Sequence, residues 1–299
     1  MHVVGLGRIG LPVARRLIEA SHAVTAHDVV SSRRRAAQQA GASTARTSSM
    51  ADADVVITAL PDGATLITHI EVLASEGALP GQGTLWIDLT SCDPDSGEAA
   101  TETLVAHGIQ AVAAPLAGGP SAAGAGQLRF HVGGAADAIA RAAPYLALLG
   151  GEDAVLFTDP RPRAAYLAKL LVNGVWFAHA AAIGEALLIG SRHGIERSVL
   201  GDLLRHHPAL RGVLEGTLRD LVDSADGGPF ELERIVDQLR ALVEAADRSA
   251  LTAPLTVATA RLHQDALRQL GPGPGELRAI RHLELLADRT ARTTTPADG

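Results

Sequence analysis

The chain has 299 residues, and its 26 lysine and arginine residues against 33 aspartate and glutamate residues give a formal net charge of −7. Its length is about twice the usual size of a domain, which predicts two domains, and its hydrophobic fraction of 47% excludes wholesale disorder. Aromatic residues make up only 3% of the chain, so it has few surfaces on which bases could stack. Its negative net charge also disfavours binding to a phosphate backbone, so a nucleic-acid partner is not expected.

Composition also limits the compartment and the kinds of site. Cys92 is the single cysteine, which excludes a disulfide framework and a thiolate metal site and suits the cytosol. The 12 histidines include no pair at metal-ligand spacing on one helix. The first residues do not resemble a signal peptide, and the most apolar later stretch, residues 164–189, is interrupted by Lys169 and Glu185. We therefore expect a cytoplasmic protein without a membrane span or a metal site.

The first half of the chain alternates short β-branched runs with stretches of helix-forming composition. Strands are predicted at residues 2–4, 23–27, 54–59, 85–88, 109–113 and 130–132. Helices are predicted at residues 11–20, 33–39, 64–74, 93–107 and 135–148. Apolar strands separated by helices are typical of βαβ units. We therefore predict an α/β fold, a doubly wound Rossmann-type parallel sheet, for a domain of residues 1–160.

The second half contains only helical patterns. Its first predicted helix covers about residues 163–193 and is apolar nearly all round, which requires burial on every side. An all-helical domain of residues 161–290 is too small to cover this helix alone, so we expect a second subunit to pack against it. Residues 291–299 have no apolar periodicity and are predicted to form a disordered tail.

A glycine-rich turn follows the first predicted strand and opens the first helix. It has the G-x-G-x-x-G spacing of dinucleotide sites and reads Gly5-Leu6-Gly7-Arg8-Ile9-Gly10. Gly5 permits the turn, Gly7 lets the backbone approach a diphosphate, and Gly10 lets helix and strand pack closely. The N–H groups at the helix N-terminus then face the diphosphate. We predict a site for NAD or NADP here.

Asp28 ends the second predicted strand, near the offset at which an acid binds the adenosine ribose hydroxyls and repels a 2′-phosphate. It favours NAD, although residues 31–35 (SSRRR) also offer hydroxyl and guanidinium groups to a phosphate. Two later loops, at residues 60–62 and 90–91, follow predicted strands at the same edge of the sheet. Taken alone, each loop could simply cap the helix that follows it. The residues expected to complete the coenzyme groove are Leu60, Pro61, Asp62 and Ser91.

The order of these motifs resembles the β-hydroxyacid dehydrogenase family, which includes 3-hydroxyisobutyrate dehydrogenases and glyoxylate/succinic semialdehyde reductases. The matching segments are residues 5–10 (GLGRIG), 54–62 (DVVITALPD), 88–94 (DLTSCDP), 114–119 (APLAGG), 130–134 (FHVGG) and 169–173 (KLLVN). The resemblance implies an NAD-binding domain like that of 6-phosphogluconate dehydrogenase, joined to an all-helical domain by one long helix. It also implies a homodimer or a tetramer.

Lys169 and Asn173 lie one turn apart in the predicted long helix, so both project from the same face. Burial beside a coenzyme lowers the pKa of a lysine toward the working pH. The resemblance implies that Lys169 is the general acid/base and that Asn173 hydrogen-bonds the substrate. Without the upstream motifs, a lysine reaching solvent from an apolar helix would explain the same pattern.

The expected substrate loop departs from the family pattern D-A-P-V-S-G-G, in which the serine and the glycine amides hold the substrate carboxylate. Ala117 replaces the serine, while Gly118 and Gly119 keep their N–H groups, and we also expect Ser91 to bind the substrate. Loss of one donor costs about 1–3 kcal/mol on a carboxylate. A second departure is Val236, which stands where the family often has a lysine.

The sequence thus predicts an NAD(P)-dependent oxidoreductase that transfers a hydride between nicotinamide and a small 2- or 3-hydroxy acid, or the matching oxo acid or semialdehyde. The missing serine leaves open the reduction of a C=N bond, as in the related imine reductases, although those generally lack a lysine at residue 169. A non-catalytic dinucleotide-binding sensor is the third interpretation.

Overall fold

The structure is a computed structural model, and it describes residues 1–44, 47–207, 230–273, 275 and 277–294. The chain divides into two compact units, an N-terminal unit of Met1–Leu171 and a C-terminal unit of Val172–Gly299. The N-terminal unit is built on one mixed sheet, and the C-terminal unit is built from helices.

Within the described residues, the sheet has nine strands: β1 His2–Val4, β2 Thr25–His27, β3 Ser43–Thr44, β4 Val55–Thr58, β5 Leu85–Asp88, β6 Gln110–Ala113, β7 Leu116–Ala117, β8 Arg129–Gly134 and β9 Val155–Asp159. Their order is β3-β2-β1-β4-β5-β6-β8-β7, with β9 paired to β8. Strands β1 to β6 pair in parallel, as predicted. Strand β8 runs antiparallel to β6 and β7, so the sheet is mixed at that end.

The helices of the N-terminal unit are α1 Gly10–Glu19, α2 Ser31–Gln39, α3 Gly63–Ser75, α4 Pro94–Ala106, α5 Gly119–Ala125 and α6 Ala136–Gly150. Successive strand residues face opposite sides of the sheet, so each strand contributes to two cores. Ile57 and Ile87 belong to one buried cluster, while Val56 and Trp86 belong to the other. Helices therefore cover both faces, and the doubly wound Rossmann-type fold is confirmed.

The predicted strands and helices of this unit agree with the structure to within two residues at each end. The elements that the sequence did not predict are β3, β7, β9, α5 and a 3₁₀-helix at Thr47–Asp52. Two of these strands have only two residues, too few to show an alternating pattern, and β9 is largely exposed.

Helix α7, Pro162–Arg192, follows β9 and has almost the predicted bounds. The remaining described helices are α8 Arg197–His206, α9 Leu232–Arg248, α10 Pro254–Leu270 and α11 Arg278–Thr294. Helix α11 corrects the predicted tail, because residues 291–294 continue the helix, and Pro296 lies just beyond them. Residues 295–299 lie outside the described part of the chain.

Helix α7 is long and apolar enough to cross a membrane, and 44% of its most apolar window is buried within the chain. The core helix of a soluble protein has the same properties. Within the single chain, Leu171, Val172 and Val175 remain more than half exposed. These three side chains of the described helix are therefore apolar and largely uncovered.

Candidate active site

The carboxyl ends of the parallel strands form one row across the sheet. The pairing register aligns Val4 with His27 and Thr58, and Thr58 with Asp88. The residues that follow these positions therefore share one edge, where ligands bind in open α/β sheets. The glycine turn, Asp28 and the two predicted coenzyme loops all begin there.

The glycine turn between β1 and α1 has the geometry that a dinucleotide requires. Gly5 has φ +84°, which favours glycine, and a Cβ there would clash with the carbonyl oxygen of Ala59. A Cβ on Gly10 would clash with the carbonyl oxygen of Gly5. A Cβ on Gly7 would meet nothing within 4 Å. Gly5 and Gly10 thus shape the turn, whereas Gly7 leaves open space in which a diphosphate fits against the start of α1.

Asp28 links the end of β2 to this turn. Its carboxylate accepts hydrogen bonds from the backbone N–H of Leu6 at 2.7 Å and of Val30 at 2.8 Å. The guanidinium of Arg33 lies 3.5 Å from the same carboxylate, and Arg34 donates to the carbonyl oxygen of Asp28. An acid and two cations therefore stand together where the adenosine ribose is expected. The other residues of the turn differ in exposure, with Leu6 buried, Ile9 half-buried and Arg8 exposed.

The two later loops are joined at the sheet edge. The backbone N–H of Leu60 donates to the hydroxyl of Thr90 at 3.1 Å. Asp62 is the N-cap of α3 and accepts the backbone N–H of Thr65 at 2.7 Å, so its carboxylate also has the capping role that its sequence context suggests. Pro61 is exposed, and Ser91 is half-buried.

A buried network around Asp88 connects these loops to α7. One carboxylate oxygen accepts the hydroxyls of Thr58 and Thr90, each at 2.6 Å. The other oxygen accepts the phenol of Tyr166 at 2.7 Å. Burial raises the pKa of Asp88 and raises that of Tyr166 well above its usual range, so the phenol remains the donor. Sequence reasoning treated Asp88 only as part of a motif and missed this network.

Lys169 lies three residues after Tyr166 in α7 and is 2% exposed. Burial lowers the pKa of its amine from 10.5 to about 8. It is also the only lysine of the chain, since the other 25 of the 26 lysine and arginine residues are arginines. Arginine does not deprotonate in proteins. The one lysine side chain of the protein is therefore buried. That the chain contains a single lysine can be read from its composition, and the sequence analysis did not use this fact.

Asn173 lies one helical turn after Lys169, so the two side chains leave α7 on the same face. Its Nδ2 donates to Oε1 of Gln238, in α9, at 2.7 Å, and both side chains are buried. This bond fixes the orientation of the Asn173 amide. Gln238 lies two residues after Val236, the position at which the family often has a lysine. No sequence motif predicted a role for Gln238.

The expected substrate loop occupies β7 and the start of α5. Ala117 pairs with Arg129 of β8, and Leu116 pairs with Phe130. Gly118 and Gly119 have φ values of +118° and +68°, which favour glycine. The loop thus has the backbone conformation of a glycine pair but no side-chain hydroxyl at residue 117.

Comparison with known proteins identifies the family. The model of the NAD-binding domain of 6-phosphogluconate dehydrogenase matches residues 1–157. The model described as NAD-binding of NADP-dependent 3-hydroxyisobutyrate dehydrogenase matches residues 164–283. The chain belongs to the β-hydroxyacid dehydrogenase family.

Its relatives in that family include proteins named as dehydrogenases of small hydroxy acids. An NAD-dependent L-serine dehydrogenase of Pseudomonas aeruginosa is 29% identical over 279 residues, 89% of this chain and 91% of that protein. A 3-hydroxyisobutyrate dehydrogenase of the same species is 31% identical over 208 residues, 68% of this chain and 67% of that protein. The fold is that of a Mycobacterium tuberculosis 3-hydroxyisobutyrate dehydrogenase solved with L-serine, with a TM-score of 0.84 over 94% of this chain and 98% of that chain at 23% identity.

The remaining candidates from the sequence take no part in this arrangement. Cys92 is buried against Ala113, Ala165 and Tyr166, and burial raises the pKa of its thiol well above the usual range, which makes it unreactive. Glu185 is exposed. Among the residues that the structure describes, no cluster of three or more histidine, cysteine, aspartate or glutamate side chains is arranged to hold a metal ion. That the enzyme needs no metal stays a prediction.

Proposed function

We propose that this protein is an NAD(P)-dependent dehydrogenase that oxidises the hydroxyl group of a small 2- or 3-hydroxy acid, or reduces the matching oxo acid or semialdehyde, with Lys169 as general acid/base. The observation that carries the proposal is the single lysine of the chain, which is buried in helix α7 and has a pKa lowered to about 8. A group with this pKa exchanges protons efficiently near neutral pH.

The coenzyme-binding residues of the proposal are those of the sheet edge. Gly5, Leu6, Gly7, Arg8, Ile9 and Gly10 hold the diphosphate, Asp28 holds the adenosine ribose, and Leu60, Pro61, Asp62 and Ser91 complete the groove. The open space at Gly7 supports this assignment. When bound, the coenzyme supplies a nicotinamide ring that accepts or donates a hydride.

In the oxidative direction, the neutral amine of Lys169 accepts the proton of the substrate hydroxyl. In the reductive direction, the ammonium form returns a proton to the carbonyl oxygen. Asn173 hydrogen-bonds the substrate, and its contact with Gln238 limits the orientations of its amide. The backbone N–H groups of Gly118 and Gly119 bind the substrate carboxylate beside Ala117 and Ser91.

For the coenzyme, we propose a preference for NAD over NADP. The Asp28 carboxylate repels a 2′-phosphate, and Arg33 is held close to that carboxylate at 3.5 Å. The Pseudomonas aeruginosa L-serine dehydrogenase is named NAD-dependent, whereas one similar solved structure, with a TM-score of 0.79, contains NADP+.

The names of the relatives narrow the proposed substrates. They act on L-serine, 3-hydroxyisobutyrate and 2-(hydroxymethyl)glutarate, the last in Eubacterium barkeri. All three compounds are carboxylic acids with a primary hydroxyl on the β-carbon. We propose a substrate of this kind.

We also propose a homo-oligomer in the cytoplasm. The exposed apolar face of α7, with Leu171, Val172 and Val175, supports a second subunit packed against this helix. We retain residues 1–160 as the coenzyme-binding domain and residues 161–290 as the helical substrate and dimerisation domain. Sedimentation equilibrium distinguishes a dimer, a tetramer and a monomer.

The test of the proposed function is a turnover assay with purified protein. NAD or NADP is mixed with L-serine, 3-hydroxyisobutyrate or 2-(hydroxymethyl)glutarate, and the reduced coenzymes are mixed with semialdehydes and cyclic imines. Oxidation of at least one hydroxy acid is expected. Turnover of imines alone would favour the imine reductase interpretation, since Ala117 lacks the carboxylate-binding hydroxyl. Coenzyme binding without any turnover would favour the sensor.

A further inference from the structure

Strand β8 presents two different faces. Phe130 and Val132 belong to the same buried cluster as Leu116. Because strand residues alternate, His131 and Gly133 point to the opposite face. The start of α7 covers that face, since a Cβ on Gly133 would lie 2.7 Å from the carbonyl oxygen of Arg161 and 3.0 Å from the Cβ of Ala165.

His131 and Lys169 lie on the two elements that meet at Gly133 and Ala165. His131 lies two residues from Gly133 along β8, about 6.6 Å of strand. Lys169 lies four residues from Ala165 along α7, about 6 Å of helix. The two steps match in length, and the charge of Lys169 acts on the imidazole. Burial, and after it the charge of Lys169, lowers the pKa of His131 and so favours the neutral ring.

The imidazole of His131 makes no hydrogen bond to the described residues. The side chain is 4% exposed, and neither ring nitrogen has a hydrogen-bond partner among the described residues. A buried polar group without a partner is costly, and its presence next to a reactive site indicates a ligand that supplies the partner. A neutral imidazole offers one N–H donor and one acceptor.

The register of β7 with β8 relates this histidine to the substrate loop. Ala117 pairs with Arg129, so its methyl group shares a face with Arg129 and His131. Ala117 and His131 are diagonal neighbours on that face, a separation of about 7–8 Å that an imidazole can bridge. The backbone N–H of His131 also donates to the carbonyl oxygen of Pro115, at the start of the loop, at 3.0 Å.

We propose that His131 is a substrate-binding residue whose ring N–H hydrogen-bonds the substrate carboxylate, in place of the hydroxyl that Ala117 lacks. This inference rests on the proposed function and deepens it. The carboxylate then lies among the N–H groups of Gly118, Gly119 and His131, while the hydroxyl faces Lys169. The substrate class is a hydroxy acid with a free carboxylate, rather than its ester or amide.

The test compares three variants on the hydroxy acid that the wild type oxidises best among L-serine, 3-hydroxyisobutyrate and 2-(hydroxymethyl)glutarate. His131→Leu removes the ring donor, His131→Gln retains an N–H donor, and His131→Leu combined with Ala117→Ser restores a hydroxyl on the same face. His131→Phe replaces the leucine variant if that variant does not fold. His2→Leu is the matched control, because His2 is also buried and its ring nitrogens have no hydrogen-bond partner among the described residues, but it lies at the amino end of β1.

His131→Leu is expected to raise KM for the acid about tenfold, the equivalent of one lost hydrogen bond, while kcat stays within about threefold. His131→Gln and the double variant are expected to recover most of this loss. The methyl ester of the acid should be a poor substrate for the wild type, and His131→Leu should impose no further loss on it. The affinity for NADH, measured by fluorescence, should be unchanged in every variant.

An unchanged KM in His131→Leu, or an equal loss on acid and ester, would overturn the assignment of His131 alone. A His2→Leu variant that raises KM as much would assign the effect to packing and would also overturn it. If the wild type oxidises none of the three acids, the proposed function fails, and the assignment fails with it.

Discussion

The phenol of Tyr166 donates to the carboxylate of Asp88 at 2.7 Å, and this contact fixes the start of α7 to the carboxyl end of β5. Thr58 and Thr90 bind the other oxygen of the same carboxylate. Thr90 in turn accepts the backbone N–H of Leu60, in the coenzyme loop. One buried acid therefore relates the helix that carries Lys169 to two loops of the sheet edge.

Tyr166→Phe is expected to lower the free energy of unfolding by about 1–3 kcal/mol, because it leaves a buried carboxylate oxygen short of one donor. Urea unfolding of the two proteins measures the difference. Tyr145→Phe is the control, since Tyr145 is half-buried and should change the stability by no more than about 0.5 kcal/mol. Equal stabilities for Tyr166→Phe and the wild type would show that the network contributes nothing.

Gly7→Ala should separate folding from coenzyme binding. The added methyl group meets no described residue within 4 Å and occupies the space assigned to the diphosphate. The apo-protein is expected to be at least as stable as the wild type, while the Kd for NADH rises about tenfold or more. Gly10→Ala provides the contrast, because its methyl group clashes with Gly5 and should destabilise the fold by about 1–3 kcal/mol. NADH affinity unchanged in Gly7→Ala would place the diphosphate elsewhere.

Asp28→Ala is expected to lower kcat/KM with NAD by about 10- to 100-fold, through the loss of charge-assisted hydrogen bonds to the ribose. The fall with NADP should be smaller, because repulsion of the 2′-phosphate is lost as well. Since the carboxylate also binds Leu6, the informative quantity is the ratio of the two kcat/KM values. Glu76→Ala, which removes an exposed acid at the end of α3, is the control. An unchanged ratio would show that Asp28 does not bind the adenosine ribose.

Acid should destabilise the protein through two histidines. Burial lowers the pKa of His2 and of His69 from 6.5 to about 4. Because the unfolded chain binds these protons more readily, their contribution to stability is present above pH 6.5 and is lost as the pH falls toward 4. The slope is at most about 1.4 kcal/mol per pH unit for each histidine. Chemical unfolding across this range should show a shallower slope for His2→Leu and an unchanged one for His107→Gln, whose ring is exposed.

The sequence was sufficient for the features that depend on local spacing. The pattern of Gly5, Gly7 and Gly10 predicted the turn, and the spacing of Lys169 and Asn173 placed both on one face of a helix found within one residue of its predicted ends. The two loops after β4 and β5 were predicted to suit helix caps, and Asp62 and Asp93 cap the helices that begin there. These features involve residues only a few positions apart.

The missed features depend on contacts between residues far apart in the chain. Tyr166 and Asp88 are 78 residues apart, and Asn173 and Gln238 are 65 apart. No local pattern reports such pairs. His131 stood inside a recognised motif, but its importance depends on which face of β8 meets α7, and that follows only from the register of the sheet.

Lys169 can be observed directly because it is the only lysine. Selective lysine labelling gives a single ε-carbon resonance from the side chains of the chain. Its titration in the free enzyme is expected to have a midpoint of about 8. A midpoint close to 10.5 would mean that the amine is not desolvated.

The pH dependence of kcat/KM for oxidation of the hydroxy acid tests the central claim most directly. The values should rise with pH and level off above an inflection near 8, because the reaction needs the neutral amine, and the inflection should coincide with the lysine titration. Lys169→Met should bind NADH normally and lose at least about 100-fold in kcat. A Lys169→Met variant with wild-type turnover and the same inflection would contradict the assignment of Lys169 as the general acid/base.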